Sequence, residues 1–279
     1  MHTLSIWADV GLCVVLILAG SFAGFAGAFF GVGGGTVLVP TLLGIYSYIN
    51  TDLNVDMHQA VAGSLALVVV NTMMSAYQHY MQGNLDGRYF KGWALWLGVG
   101  VALGALAMSS VDSFTLKLCF AAYLLFAACH ELFFDRTDQK RNEHLPTGVF
   151  KAIGGLMIGA CSVILGIAGG TFSTPFFRAF GATLQRAMAL AVSGGVVISC
   201  AGTMAAMISG YGVPHRLPGS IGYVNVLTVV FVAPFVMWAS PLGVKVSCRT
   251  SPARLKVLYV LFLSGLVFSM IYGIIRHWL

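Results

Sequence analysis

Two ten-residue stretches hold the backbone chemistry of this chain: GVGGGTVLVP at 31–40 and GIAGGTFSTP at 166–175. In each, adjacent glycines run directly into a threonine, and a proline follows four residues later. Neither stretch carries a charge. A glycine run breaks a helix, frees several N–H groups at once and lets backbone approach a ligand closely. Thr36 and Thr171 suit the N-cap of a new helix. Such a helix start presents unsatisfied N–H groups and a partial positive charge, which favours an anion. Gly33, Gly34, Gly35 and Thr36, with Gly169, Gly170 and Thr171, are therefore the first candidate substrate-binding residues. The run is not a phosphate-binding P-loop, since no lysine follows it and no strand pattern precedes it.

Side chains near these stretches add polar groups. Asn71 falls inside a long apolar run, where buried polarity is costly and tends to be functional. Arg186 opens a later apolar run; it reads as the cation that receives an anion or as an anchor at the membrane surface. His58 and Gln59 stand at the corresponding start in the first half and read as a ligand mouth or as helix-start polar residues. Gln78 and His79, and His130 and Glu131, fall near interfaces. Asp86 and Asn225 follow loop glycines and suit caps of the next helix. Lys117 and Lys256 suit helix-end anchors with snorkelling side chains. Trp7, Trp93, Trp96, Trp238 and Trp278 fall near span ends, as an aromatic belt does.

The surroundings that must hold these groups are apolar. Of 279 residues, 58% are hydrophobic and 9% charged, with a mean hydropathy of +0.87. A soluble domain carries about 25% charged residues. Apolar runs of roughly 18 residues recur along the chain, as in a polytopic membrane protein. The first ten residues contain Asp9 and neither Lys nor Arg, so no cleavable signal is expected. The net charge of +6 sits between apolar runs, where the positive-inside rule explains it and nucleic acid does not. The six cysteines form no CxxC pair and read as small apolar residues.

The only long polar segment inside the chain is DRTDQKRNEHLPTG, Asp135 to Gly148. It divides a first transmembrane repeat, 1–134, from a second, 149–279, as a cytoplasmic linker over 135–148. The halves correspond. At an offset of 135, Gly20, Gly24, Gly31, Gly34, Gly35, Thr36 and Pro40 meet Gly155, Gly159, Gly166, Gly169, Gly170, Thr171 and Pro175. At 139, Gly83-Asn-Leu-Asp86 meets Gly222-Tyr-Val-Asn225, and Leu103-Gly104 meets Leu242-Gly243. At 127, Gln59-Ala-Val-Ala62 meets Arg186-Ala-Met-Ala189. An ordered set of matches is an internal repeat. Glycines four apart, such as Gly20 with Gly24 and Gly155 with Gly159, also suit tight helix packing.

Each half has a long apolar run, a short one after the glycines (about 36–49 and 171–181), and three more. If the short run crosses, 12 of the 15 Lys and Arg fall on one side; if it re-enters, the split is 8 to 7. The positive-inside rule selects the crossing arrangement, with the linker inside and both termini outside. Five segments per half make the halves inverted, a common plan of secondary transporters. The expected fold is an all-α integral membrane protein of two inverted repeats of about five segments, with helices broken at the glycine loops.

The doubled glycine segment ending in proline, the run Gln59-Ala-Val-Ala-Gly-Ser64 with its fainter copy at Arg186, and the Gly-x-x-Asp/Asn loops resemble the TauE/SafE sulfite-exporter family over nearly the whole chain. The resemblance implies a secondary transporter exporting small sulfur-containing anions, such as sulfite or an organosulfonate like sulfoacetate, by alternating access. An anion channel and an importer are the alternatives. It also brings Ser64 into the substrate set. In the second copy Leu190 and Ala191 stand opposite Gly63 and Ser64, and Ser193 takes the hydroxyl's place after a shift. No HExxH, GxSxG or paired intramembrane carboxylates occur, so no enzyme chemistry, metal or cofactor is expected. The expected partners are a small anion and the bilayer of the cell inner membrane, not nucleic acid, with a homodimer left open.

Overall fold

The computed structural model describes residues 2–30, 34–49, 56–81, 87–133, 144–214, 216–247 and 249–278. Gly33, Asp86 and most of the linker lie outside them, as do the side chains of Trp7, Gln78, His130, Glu131, Lys256 and Trp278. Among the described residues the chain is all-α apart from one short hairpin. In order come α1 (His2–Phe30), α2 (Gly35–Ile49), α3 (Asp56–Met81), α4 (Gly87–Ser109), α5 (Ser113–Phe133), α6 (Gly148–Leu165), α7 (Gly170–Ala179) and α8 (Leu184–Ser209). The hairpin β1 (Ser220–Ile221) and β2 (Val224–Asn225) follows, then α9 (Val226–Ser247) and α10 (Pro252–Trp278).

Among the described residues, six helices are long and apolar enough to cross a bilayer: Cys13–Phe30, Asp56–Met81, Tyr89–Ser109, Gly148–Leu165, Arg186–Ser209 and Val226–Gly243. The chain is a multi-pass membrane protein. Its outward helix faces stay apolar, with Leu18, Leu106, Ile208, Trp238 and Phe268 exposed. That suits lipid, which takes no hydrogen bonds.

The two short segments are shorter than a span. At 1.5 Å per residue, α2 with 15 residues reaches about 22 Å and α7 with 10 about 15 Å. Each follows a long helix (α1 or α6) that ends at a glycine turn, so the break itself is where the sequence places it.

Packing depends on glycine. A methyl on Gly20 would sit 2.6 Å from Val232, and one on Gly24 would collide with the Val236 carbonyl. In the other half, methyls on Gly155 and Gly159 would collide with Trp96 and Leu97. Thus α1 lies on α9, and α6 lies on α4, each pair parallel in direction and close enough for backbone contact. At the centre, α3 crosses α8. Thr72 Oγ1 and Ser199 Oγ are 3.4 Å apart. Further back on α3, Leu65 meets Gly202, and Ala62 joins Ala206. Residue numbers fall along α3 as they rise along α8, so these two helices are antiparallel.

Asn225 caps α9 as its sequence position suggests: its Oδ1 accepts from Thr228 N at 2.8 Å. Lys117 differs from expectation. It does not reach outward; its Nζ lies 2.7 Å from Asp56 Oδ2, and Asp56 is fully buried. A buried carboxylate at the start of α3 draws the ammonium inward. The Asp56 carboxylate also accepts from Ser47 Oγ at 2.9 Å and Met57 N at 2.6 Å, which ties the end of α2 and the starts of α3 and α5 together.

Candidate functional site

Both broken helices restart in the same way. Gly34 and Gly169 have left-handed backbone, with φ of 83° and 71°. The Gly34 carbonyl accepts from Val37 N and Leu38 N at 3.0 and 2.9 Å; the Gly169 carbonyl accepts from Phe172 N and Ser173 N at 3.1 and 2.8 Å. The glycines therefore occupy the cap position. Thr36 and Thr171 are not the caps expected of them, because the left-handed turn disfavours any residue with a Cβ. Each threonine stands two residues past the cap, within the first turn of α2 or α7. The N–H groups of Gly35 and Thr36, and of Gly170 and Thr171, have no intrahelical acceptor.

The two turns lie against the middle of the α3–α8 crossing. A Cβ on Gly34 would stand 3.7 Å from Asn71 Nδ2, and one on Gly169 would stand 2.6 Å from Ile198. Asn71 and Ile198 correspond at the offset of 127. The turns also touch through their neighbours: a methyl on Gly35 would sit 2.7 Å from the Gly166 carbonyl oxygen. Ser64 Oγ donates to that same oxygen at 2.8 Å. Gly35 and Gly166, 131 residues apart in sequence, thus meet.

Polar groups cluster here without a charge among them. Ser240 Oγ donates to Asn71 Oδ1 at 2.7 Å, linking α9 to α3. Tyr123 OH donates to Thr171 Oγ1 at 2.8 Å. The hydroxyls of Thr36, Ser162, Ser173 and Ser193 are buried with no hydrogen-bond partner among the described residues. Most buried hydroxyls in proteins are satisfied, so four open ones mark a region able to accept a polar guest.

The sequence candidates therefore divide. Gly34, Gly35, Thr36, Asn71, Ser64, Gly169, Gly170 and Thr171 belong to the two turns or touch them. Ser193 is buried on α8, five residues before Ile198. Arg186 stands apart: it is half-buried in the first turn of α8, its N–H 3.4 Å from Thr183 Oγ1, and about 18 Å along the helix from Ile198. Nearby at that end, Lys151 Nζ donates to the Tyr89 carbonyl at 2.8 Å and lies 3.8 Å over the Tyr89 ring.

Sequence reasoning did not single out Ser162, Ser240 or Tyr123. Ser240 and Tyr123 gain their meaning from partners 169 and 48 residues away. At the opposite end, His58 is buried between Ser113 Oγ and Met108 O, each 3.2 Å away, and stacks on Tyr223 of the hairpin at 5.0 Å. Gln59 Nε2 reaches Ser220 Oγ at 3.1 Å. These contacts close that end with the hairpin. Arg216 sits beside Tyr223; burial nonetheless holds the Tyr223 phenol above its ordinary pKa.

Comparison with known proteins agrees with this architecture. A "Probable membrane transporter protein" of Haemophilus influenzae is 28% identical over 257 residues, 92% of this chain and 97% of that relative. One of Methanocaldococcus jannaschii with the same description is 26% identical over 259 residues, 88% of this chain and 91% of that one. No solved structure matches the chain significantly. Residues 16–270 match the family described as "Sulfite exporter TauE/SafE". The match spans both glycine turns and every helix that holds them, and the chain belongs to the TauE/SafE sulfite exporter family.

Proposed function

We propose that this membrane transporter is a secondary carrier that exports small sulfur-containing anions, sulfite or an organosulfonate, through alternating access of two inverted halves. The observation that carries the reading is the pair of left-handed glycine turns, each restarting a helix beside the α3–α8 crossing. Helix N-termini at membrane depth are the usual anion sites of broken-helix carriers. The packing supports the inverted plan. Equivalent helices α3 and α8 are antiparallel, as five segments per half require and four do not. The α1–α9 contact of Gly24 on Val236 has its counterpart, at the same offsets, in Gly159 on Leu97 between α6 and α4.

The topology has a direct test. Single cysteines at positions 142 and 2, in a background without reactive cysteines, should respond oppositely to an impermeant reagent in intact cells. Position 2 should label and position 142 should not. Labelling at 142 overturns the orientation.

Transport is expected to follow the membrane potential. Among the described residues the site holds no carboxylate to bind a coupling cation. Each charge moved gains about 2.3 kcal/mol per 100 mV, so a dianion leaving a negative interior gains about 4.6 kcal/mol per 100 mV. Proteoliposomes loaded with sulfite should release it faster when potassium and valinomycin make the lumen negative. Release that ignores the potential but follows an imposed proton or sodium gradient would show coupled transport instead.

A further inference from the structure

We infer that Ser162 contacts the substrate and sets specificity for a three-oxygen –SO3 headgroup bound at the start of α7. The inference rests on the carrier reading above and adds a residue and an asymmetry to it. Ser162 lies in the last turn of α6, fully buried, and its hydroxyl has no partner among the described residues. It faces the Gly169 turn: a Cβ on Gly169 would stand 3.0 Å from Ser162 Oγ. Glycine at 169 thus keeps the path between that hydroxyl and the α7 N-terminus clear of a side chain. The N–H groups of Gly170 and Thr171 open the helix there, while those of Phe172 and Ser173 are already held by the Gly169 carbonyl. Two amides on α7 and one hydroxyl on α6, on either side of the Gly169 turn, supply three donors, which matches the three oxygens of a sulfite or sulfonate group. The other two atoms nearest that Cβ, from Ile198 and Ile158, are apolar.

The first half does not repeat this arrangement. At the offset of 135, Ser162 corresponds to Gly27, which has no side chain. At the Gly34 turn the nearest polar side chain is Asn71, whose counterpart in the second half is Ile198. The halves share a backbone plan and differ in the side chain that completes it. A hydroxyl on the preceding helix belongs to the Gly169 turn alone, so the headgroup sits off the pseudo-symmetry axis, on the α6–α7 side.

Sulfite flux into proteoliposomes, measured against concentration for the wild type, Ser162→Ala, Ser162→Cys and Ser162→Gly, tests the assignment. Loss of one hydrogen bond to a charged group should raise the half-saturation concentration of Ser162→Ala roughly ten- to a hundredfold. The rate at saturation should change far less. Ser162→Cys, nearly isosteric with a weaker donor, should fall between wild type and alanine. Ser162→Gly, which installs the first half's residue, should resemble alanine. Unchanged half-saturation in Ser162→Ala beside a saturable wild type overturns the assignment and leaves the carrier reading intact. Equal losses in alanine and cysteine variants, matched by lower melting temperatures without ligand, assign Ser162 to packing and also overturn it. A wild type that carries no sulfur oxyanion removes the carrier reading and this one together.

Discussion

Leucine at Gly169 is expected to abolish transport, and leucine at Gly34 to do the same, with both proteins still reaching the membrane. The side chain would occupy the space between a helix N-terminus and the groups facing it. Alanine separates the two positions more finely. Both glycines are left-handed, so any Cβ costs about 1–2 kcal/mol. At Gly34 the nearest atoms stand 3.5 Å or more from the added methyl, so strain is the whole penalty. At Gly169 the methyl also meets Ile198 at 2.6 Å and Ser162 at 3.0 Å. Ile198 is fully buried in the α8 packing and has little room to withdraw, which adds about 1–3 kcal/mol of overpacking. Gly169→Ala should therefore be destabilised about 2–5 kcal/mol and Gly34→Ala about 1–2 kcal/mol, read by denaturation of the purified proteins. Normal flux in both leucine variants would show that the turns neither bind nor pack. A Gly34→Ala as damaged as Gly169→Ala would mean that the space beside Gly34 is not open.

Much of this architecture was legible in the sequence because membranes make physical rules strict. An apolar run of 20 residues between polar segments has one stable answer in lipid, so the long apolar runs of the sequence are long helices in the fold. The glycine breaks were legible because adjacent glycines in such a run defeat a helix, and they occur twice, three at 33–35 and two at 169–170. Asn71 was legible as polarity where polarity is costly. Thr36 and Thr171 were misplaced as caps for a local reason: the threonine preference assumes extended backbone at the cap, whereas these turns are left-handed. Ser162 escaped notice because a search for repeats rewards agreement, and Ser162 matters through its difference from Gly27. Ser240 could not be found at all from local pattern, since its hydroxyl acquires a partner only when α9 packs beside α3.

The pairing of Lys117 with Asp56 was hidden in the same way, and it carries the largest stability effect outside the glycine turns. The two residues are 61 apart in sequence, and each alone resembles an ordinary helix-end charge. In the folded chain the carboxylate accepts from an ammonium, a hydroxyl and an amide, and no part of it meets solvent. Lys117→Met removes the only cation among those donors and leaves a buried carboxylate held by neutral groups. Breaking a buried pair from one side costs about 3–5 kcal/mol, and Lys117→Met should fall in that range. Asp56→Asn should cost less. Lys117 is 13% exposed, and its four-carbon stem lets the released ammonium turn toward water, an escape the short aspartate lacks. The double variant should then be more stable than Lys117→Met alone, because no uncompensated charge remains in it. A double-mutant cycle on unfolding free energies measures the coupling directly. Additive losses would show that the pair is a surface contact with little energy in it. A double variant better than Lys117→Met, with transport retained, would assign the pair to holding α2, α3 and α5 together rather than to moving the anion.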